Sequence, residues 1–238
     1  MVDFIQKDHY TYDDLLKLVT FLRSENGCAW DHVQTHESIR RNLLEEAYEA
    51  CEGIDLDDAG LMREEFGDVL LQVVFHADIE RERGRFCMDD VCDAVCQKLV
   101  RRHPHLFGGE KQDWEEIKKQ EKGAKTAAEL MDGVARSLPA LIRAEKLHEK
   151  AEKAGLRAET AAQTKLATDA LDDLTDAESG SDAAHEALGD ALLALVAVGL
   201  DRGLDPEGAL HDACERYIGR TADAQHGNLP VTGKNKKI

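Results

Sequence analysis

The chain has 238 residues, which allows one large domain or two small ones. Aromatic residues at 5%, only four prolines and a charged fraction of 33% favour an all-α protein over a sheet-rich one. A net charge of −18 disfavours duplex nucleic acid and anionic membrane as partners, yet leaves room for a phosphorylated small molecule that recruits its own cations. The six cysteines form no CxxC pair, and Cys92 and Cys96 lie four apart on a predicted helix, the usual spacing of buried thiols. The N-terminus has no signal-peptide pattern, and the longest apolar run, Ala191 to Leu200, is too short to span a bilayer, so a reduced, cytoplasmic protein is expected.

Tyr12 to Ser24 reads as an amphipathic helix, stopped by Asn26-Gly27. Cys28 to Thr35 follows as a loop holding one of two tryptophans, and Thr35 or Ser38 is positioned to cap the next helix. That helix carries Glu45, Glu46 and Glu49, spaced three and four apart and therefore on one side. Asp55 to Gly60 is turn chemistry, short enough to make the next helix an antiparallel neighbour. The second helix carries Glu64, Glu65 and Asp68 and continues as Val69 to Phe75, apolar nearly all round, which predicts burial.

An acidic triplet on a helix is by itself an ordinary solvated face. A second acid pair one hairpin away, directly before an apolar run, is not. Carboxylates crowded in poor solvent raise one another's pKa and weaken the fold unless a cation sits among them. An all-oxygen donor set with room for water suits Mg²⁺ or Mn²⁺, and the lack of thiolate or paired imidazole argues against zinc.

Gly84 breaks the chain, and Asp89 or Asp90 opens a helix that runs to Arg102 and is closed by Pro104. Lys98 and Arg102 share a face of its last turn, an arrangement that also serves the helix dipole. Trp114 and Lys118 sit one turn apart on a polar helix, a flat face beside a cation. Residues 123–137 read as a connector. The pattern then returns in weakened form. Leu171 to Asp176 echoes Leu44 to Glu49, Glu186 to Leu193 echoes Glu64 to Leu71, and Cys214 to Arg220 echoes Cys96 to Arg102. Ala187 stands where Glu65 stands, and nothing corresponds to Trp114 and Lys118. The expected domains are a catalytic one over 1–122, the connector, a degenerate repeat over 138–225 and a disordered tail over 226–238.

These residues resemble the MazG-type nucleoside triphosphate pyrophosphohydrolase family, within the all-α NTP pyrophosphatases. The resemblance is carried by Cys28-Ala-Trp-Asp-His-Val-Gln-Thr-His36, Leu43 to Glu49, Glu64 to His76, Lys98 to Gly108 and Trp114 to Lys118. It covers most of the chain, closely through Lys122 and loosely beyond. The resemblance implies hydrolysis of NTP or dNTP to the monophosphate and pyrophosphate with Mg²⁺. It implies Glu46, Glu49, Glu65 and Asp68 as metal ligands, and Glu45 as general base or as an acid orienting the water. Lys98, Arg102 and Lys118 would hold the triphosphate, with Trp114 against base or ribose. Two departures stand out. Ala29 and His32 replace the proline and lysine usual in the loop, and Ala187 removes an acid from the second repeat. The implied fold is a tandem of helical bundles completed by homodimerisation.

Two other classes fit parts of the pattern. A carboxylate-bridged di-iron or di-manganese bundle pairs Glu with His three residues on, and no such pair occurs at either acidic motif. A non-catalytic helical dimer, regulating a partner and binding nucleotide residually, is the third reading. Pyrophosphate release from an NTP panel separates them.

Overall fold

The computed structural model describes residues 4–109, 126–156 and 159–225, and every regular element among them is helical. The chain divides into two units, Met1–Lys118 and Lys119–Ile238.

In the first unit α1 spans Tyr12–Arg23, α2 Ala29–His32, α3 His36–Asp55, α4 Ala59–Glu82 and α5 Met88–Arg102, followed by a 3₁₀ turn at Pro104–Leu106. Side chains set the helix starts. The Thr11 N–H and hydroxyl donate to Asp14 ahead of α1, and Thr35 accepts from the Ser38 N–H ahead of α3. Asp58 receives the Gly60 and Leu61 N–H groups ahead of α4. At α5 the N-cap is Cys87, whose N–H donates to Asp90 at 2.8 Å, so the acid expected to open this helix acts from inside its first turn. The predicted loop after α1 contains the short helix α2, and Gly84 takes a left-handed φ of 68° after α4.

α3 and α4 form the central hairpin. Gly53 lets them meet, because a Cβ there would lie 3.0 Å from the Met62 backbone nitrogen. Val19, Ile39, Val74, Phe75 and Ile79 form the core, with Leu15, Leu16, Leu71 and Met88 against it. Each such side chain contributes about 1.5–3 kcal/mol when fully buried. α4 departs from expectation. Its second half is buried, but Phe66 and Leu70 are 50% and 37% exposed, since the helices packed on α4 leave that side of it uncovered.

In the second unit α6 spans Ala127–Asp132, α7 Ala140–Lys153, α8 Thr160–Asp176, α9 Asp182–Asp201 and α10 Pro206–Gln225. Helix α6 lies inside the stretch read as connector. Its Thr126-x-x-Glu129 capping box is a start signal visible in the sequence. α8 and α9 form a hairpin packed through Ala167, Ala170, Ala187, Ala191, Ala194 and Ala197. Small side chains let two helices approach closely but bury little area each. α9 is long and apolar enough to cross a membrane, which the run Ala191 to Leu200 read alone is not, because the helix extends back to Asp182. Its alanine face lies in the unit's core, while Leu188, Leu192 and Leu195 are exposed.

Candidate active site

The α3–α4 seam brings together acids from both motifs. Glu46, Glu49 and Glu65 each offer a carboxylate oxygen, and the three oxygens lie within 4.8 Å of one another. That separation suits a cation with ligands at 2.0–2.6 Å. Glu65 is buried, Glu46 is half-buried and Glu49 is exposed, so the group opens to solvent on the α3 side. Burial raises the Glu65 carboxyl above its ordinary value, with Glu49 and Asp68 adding to it. Burial likewise raises Glu46, with Asp68 and Glu49 next. Asp68, half-buried on α4, therefore belongs to the same electrostatic cluster although it stands outside the closest trio.

Glu65 Oε2 is buried and has no hydrogen-bond partner. An orphaned carboxylate oxygen beside other carboxylates is costly unless something positive meets it. The neighbouring charges that act most strongly on Glu46 and Glu65 among the described residues are carboxylates. The donor set is purely carboxylate, and a hard divalent cation fits it. Glu45 points elsewhere: it is exposed, and Arg41 on its own helix donates to it at 2.7 Å.

Lys98 is exposed and Arg102 half-buried on the last two turns of α5. Trp114 and Lys118 lie outside the described residues. The loop motif has an architectural part to play. Arg23, 3% exposed, donates to the Asp31 carbonyl at 2.9 Å and the Gln34 carbonyl at 3.3 Å, grips Glu82 and lies over the Phe75 ring. His32 Nδ1 hydrogen-bonds the Arg23 carbonyl at 2.7 Å, so this histidine ties the loop to α1.

A second polar cluster escapes sequence reasoning. His36 stacks on His76 with ring centres 4.9 Å apart, and their Nδ1 atoms are 2.7 Å apart. His36 Nε2 meets Glu80, which Arg83 and Arg85 also engage. Glu80 is 3% exposed and Asp78 6%, although both stand in the charged run Asp78 to Arg85. The one available signal is that the acids and arginines of the run Asp78 to Arg85 match in number, three of each.

In the second unit Ala187 is as buried as Glu65 is in the first, whereas Asp173, Asp176 and Asp190 are exposed. Among the described residues, no group of metal-ligating side chains converges there as the first unit's trio does.

A family model described as the MazG nucleotide pyrophosphohydrolase domain matches residues 34–107. The chain is 39% identical over 215 residues to the nucleoside triphosphate pyrophosphohydrolase/pyrophosphatase MazG of Thermotoga maritima, covering 88% of this chain and 83% of that one. The chain belongs to the MazG family. It is 44% identical over 147 residues to Bacillus subtilis YabN, covering 58% of this chain and 30% of that protein. It is 41% identical over 152 residues to the nucleoside triphosphate pyrophosphohydrolase of Escherichia coli K12, covering 60% and 58% of the two chains. The MazG match spans the α3–α4 hairpin whole, and with it all four acids of the cluster and both histidines of the second one.

Proposed function

We propose that this MazG-family chain hydrolyses nucleoside triphosphates, ribo or deoxy, to the monophosphate and pyrophosphate, with Mg²⁺ held by Glu46, Glu49, Glu65 and Asp68. The observation that carries the reading is the buried, unpartnered Glu65 Oε2 among acids that raise its pKa. The printed names of the Thermotoga and Escherichia relatives support the substrate class. In the net reaction water adds to the α-phosphorus and the α–β anhydride bond breaks, with the electron pair leaving on pyrophosphate. A bound Mg²⁺, for which Mn²⁺ is the expected substitute, supplies charge neutralisation for the phosphates and activation of water.

The chain's own residues hold and orient. Glu65 gives the fixed, desolvated ligand, while Glu46 and Glu49 give adjustable ones from the opposite helix. Glu45, which accepts a hydrogen bond from Arg41, is the base candidate facing solvent. Lys98, Arg102 and Lys118 are assigned to the triphosphate and Trp114 to the base or ribose. In a strongly acidic protein such aimed cations must offset the substrate's charge locally. The first unit is taken as catalytic and the second as structural, because Ala187 removes the buried ligand. A homodimer in the cytoplasm completes the proposal.

The test is an NTP panel with Mg²⁺, reading pyrophosphate against orthophosphate. Glu49→Ala and Asp68→Ala are expected to lower pyrophosphate release at least about 100-fold, and Asp190→Ala to leave it unchanged. Orthophosphate as the first product, or full activity in Asp68→Ala, would overturn the assignment.

A further inference from the structure

Gln72 is the second buried polar group of the α3–α4 seam that lacks a partner. Its side chain is on a residue 9% exposed, and its Oε1 has no hydrogen bond. Glutamine is seldom left so, because burying an amide acceptor without a donor loses its hydration with nothing in return.

Its place on α4 is informative. Gln72 follows Glu65 by seven residues and Asp68 by four. At about 100° per residue, seven residues return to within about 20° of the starting direction, so Gln72 and Glu65 share a face. Helical side chains lean toward the N-terminus, so the Gln72 carboxamide inclines toward Asp68, about 6 Å back along the axis. The hairpin register, fixed where Gly53 meets Met62 and where His36 meets His76, sets Glu46 and Glu49 across from Asp68 and Glu65. Gln72 therefore stands one turn deeper than the acids, on the side away from the hairpin turn.

Both orphaned atoms of this face are acceptors, Glu65 Oε2 and Gln72 Oε1. Resting on the metal-binding reading above, we propose that Gln72 is a positioning residue of that site. Its carboxamide oxygen accepts a hydrogen bond from the hydration shell of the divalent cation and so fixes the cation against Asp68. A hydrated Mg²⁺, with oxygens at 2.0–2.1 Å and a further hydrogen bond of about 2.8 Å, reaches about 5 Å from its centre, the span required of an outer partner. Outer partners of this kind change metal affinity by about 10- to 100-fold when removed.

The experiment is Mn²⁺ binding to the full chain, read as loss of the free-ion EPR signal, beside metal-free thermal melting. Gln72→Met keeps the length and volume and removes the acceptor. It is expected to melt at or above wild type without metal, since an orphan is gone, yet to bind Mn²⁺ about 10-fold more weakly. Gln72→Glu keeps an acceptor oxygen and is expected to bind at least as tightly as wild type. Unchanged affinity in Gln72→Met, or equal weakening in both variants, would overturn the proposal in favour of plain packing. Should Gln72→Met fail to fold, Gln72→Glu decides alone, and a 10-fold loss there sinks it. The underlying reading is checked separately: wild type that ignores Mn²⁺, or Glu65→Gln that binds like wild type, removes the site itself.

Discussion

Asp14 and Glu80 are the most strongly lowered carboxyls of the first unit, with Glu37 and Asp90 lowered beside them. Lys7 and the Thr11 backbone hold the Asp14 carboxyl at about 2, and Arg85 and His36 hold Glu80 at about 2. A folded value below the unfolded one gives stability that is present above the unfolded value and lost as pH falls through the folded one. With ordinary values of 3.8 and 4.5, the loss falls between pH 4.5 and 2. Thermal melts across that range are expected to show a steep fall in Tm for wild type. Asp14→Asn should start lower at pH 6 and fall less steeply. A wild-type Tm that does not move between pH 5 and 2.5 would contradict both pairings. Glu46 and Glu65 have the opposite sign: raised values mean stability that declines as pH climbs through them, until a cation cancels the repulsion. Legibility also divides at this scale. Glu46, Glu49, Glu65 and Asp68 were readable because helical spacing sorts acids onto faces. The burial of Arg23, Asp78 and Glu80 was not, because it depends on partners 40 to 60 positions away whose contact no local period encodes.

At the level of elements, the hairpin's closeness governs the site. Gly53 and Met62 touch near the turn, two helical turns or fewer from the Glu49–Glu65 pair. Gly53→Val would place branched carbon against the Met62 backbone, and overpacking of this kind costs about 1–3 kcal/mol. Denaturant unfolding should show that loss, and Mn²⁺ affinity should fall with it as the acids on the two helices are pried apart. Retained affinity would mean that the ligands tolerate splaying. The helices themselves were legible from apolar periodicity, Asn26-Gly27, Gly84 and Pro104. α6 is hidden in the sequence because six residues are too few for a periodic signal, even with a capping box. The apolar run of α4 promised burial on all sides. The fold delivers it only for the second half, since α1, α3 and α5 leave Phe66 and Leu70 uncovered.

For the molecule as a whole, those uncovered residues bear on assembly. Phe66 and Leu70 lie four apart on α4, and Leu44 and Tyr48, 41% and 54% exposed, lie four apart on α3. All four stand beside acids of the cluster or within two residues of them in sequence, and a two-fold dimer that used them would cover each one in both copies. A net charge of −18 opposes association, so burial of apolar surface must drive it. Wild type is expected to sediment at twice its 26.4 kDa chain mass. Phe66→Asp removes about 1.5–3 kcal/mol of burial per copy, so across the two-fold the dissociation constant should rise by about 100-fold or more. If the dimer encloses the nucleotide site, pyrophosphate release should fall in step with dissociation and recover at high protein concentration. A wild-type monomer with full activity would show instead that one hairpin suffices for the chemistry. Leu188, Leu192 and Leu195 on α9 would then be another exposed apolar stripe for a partner to use.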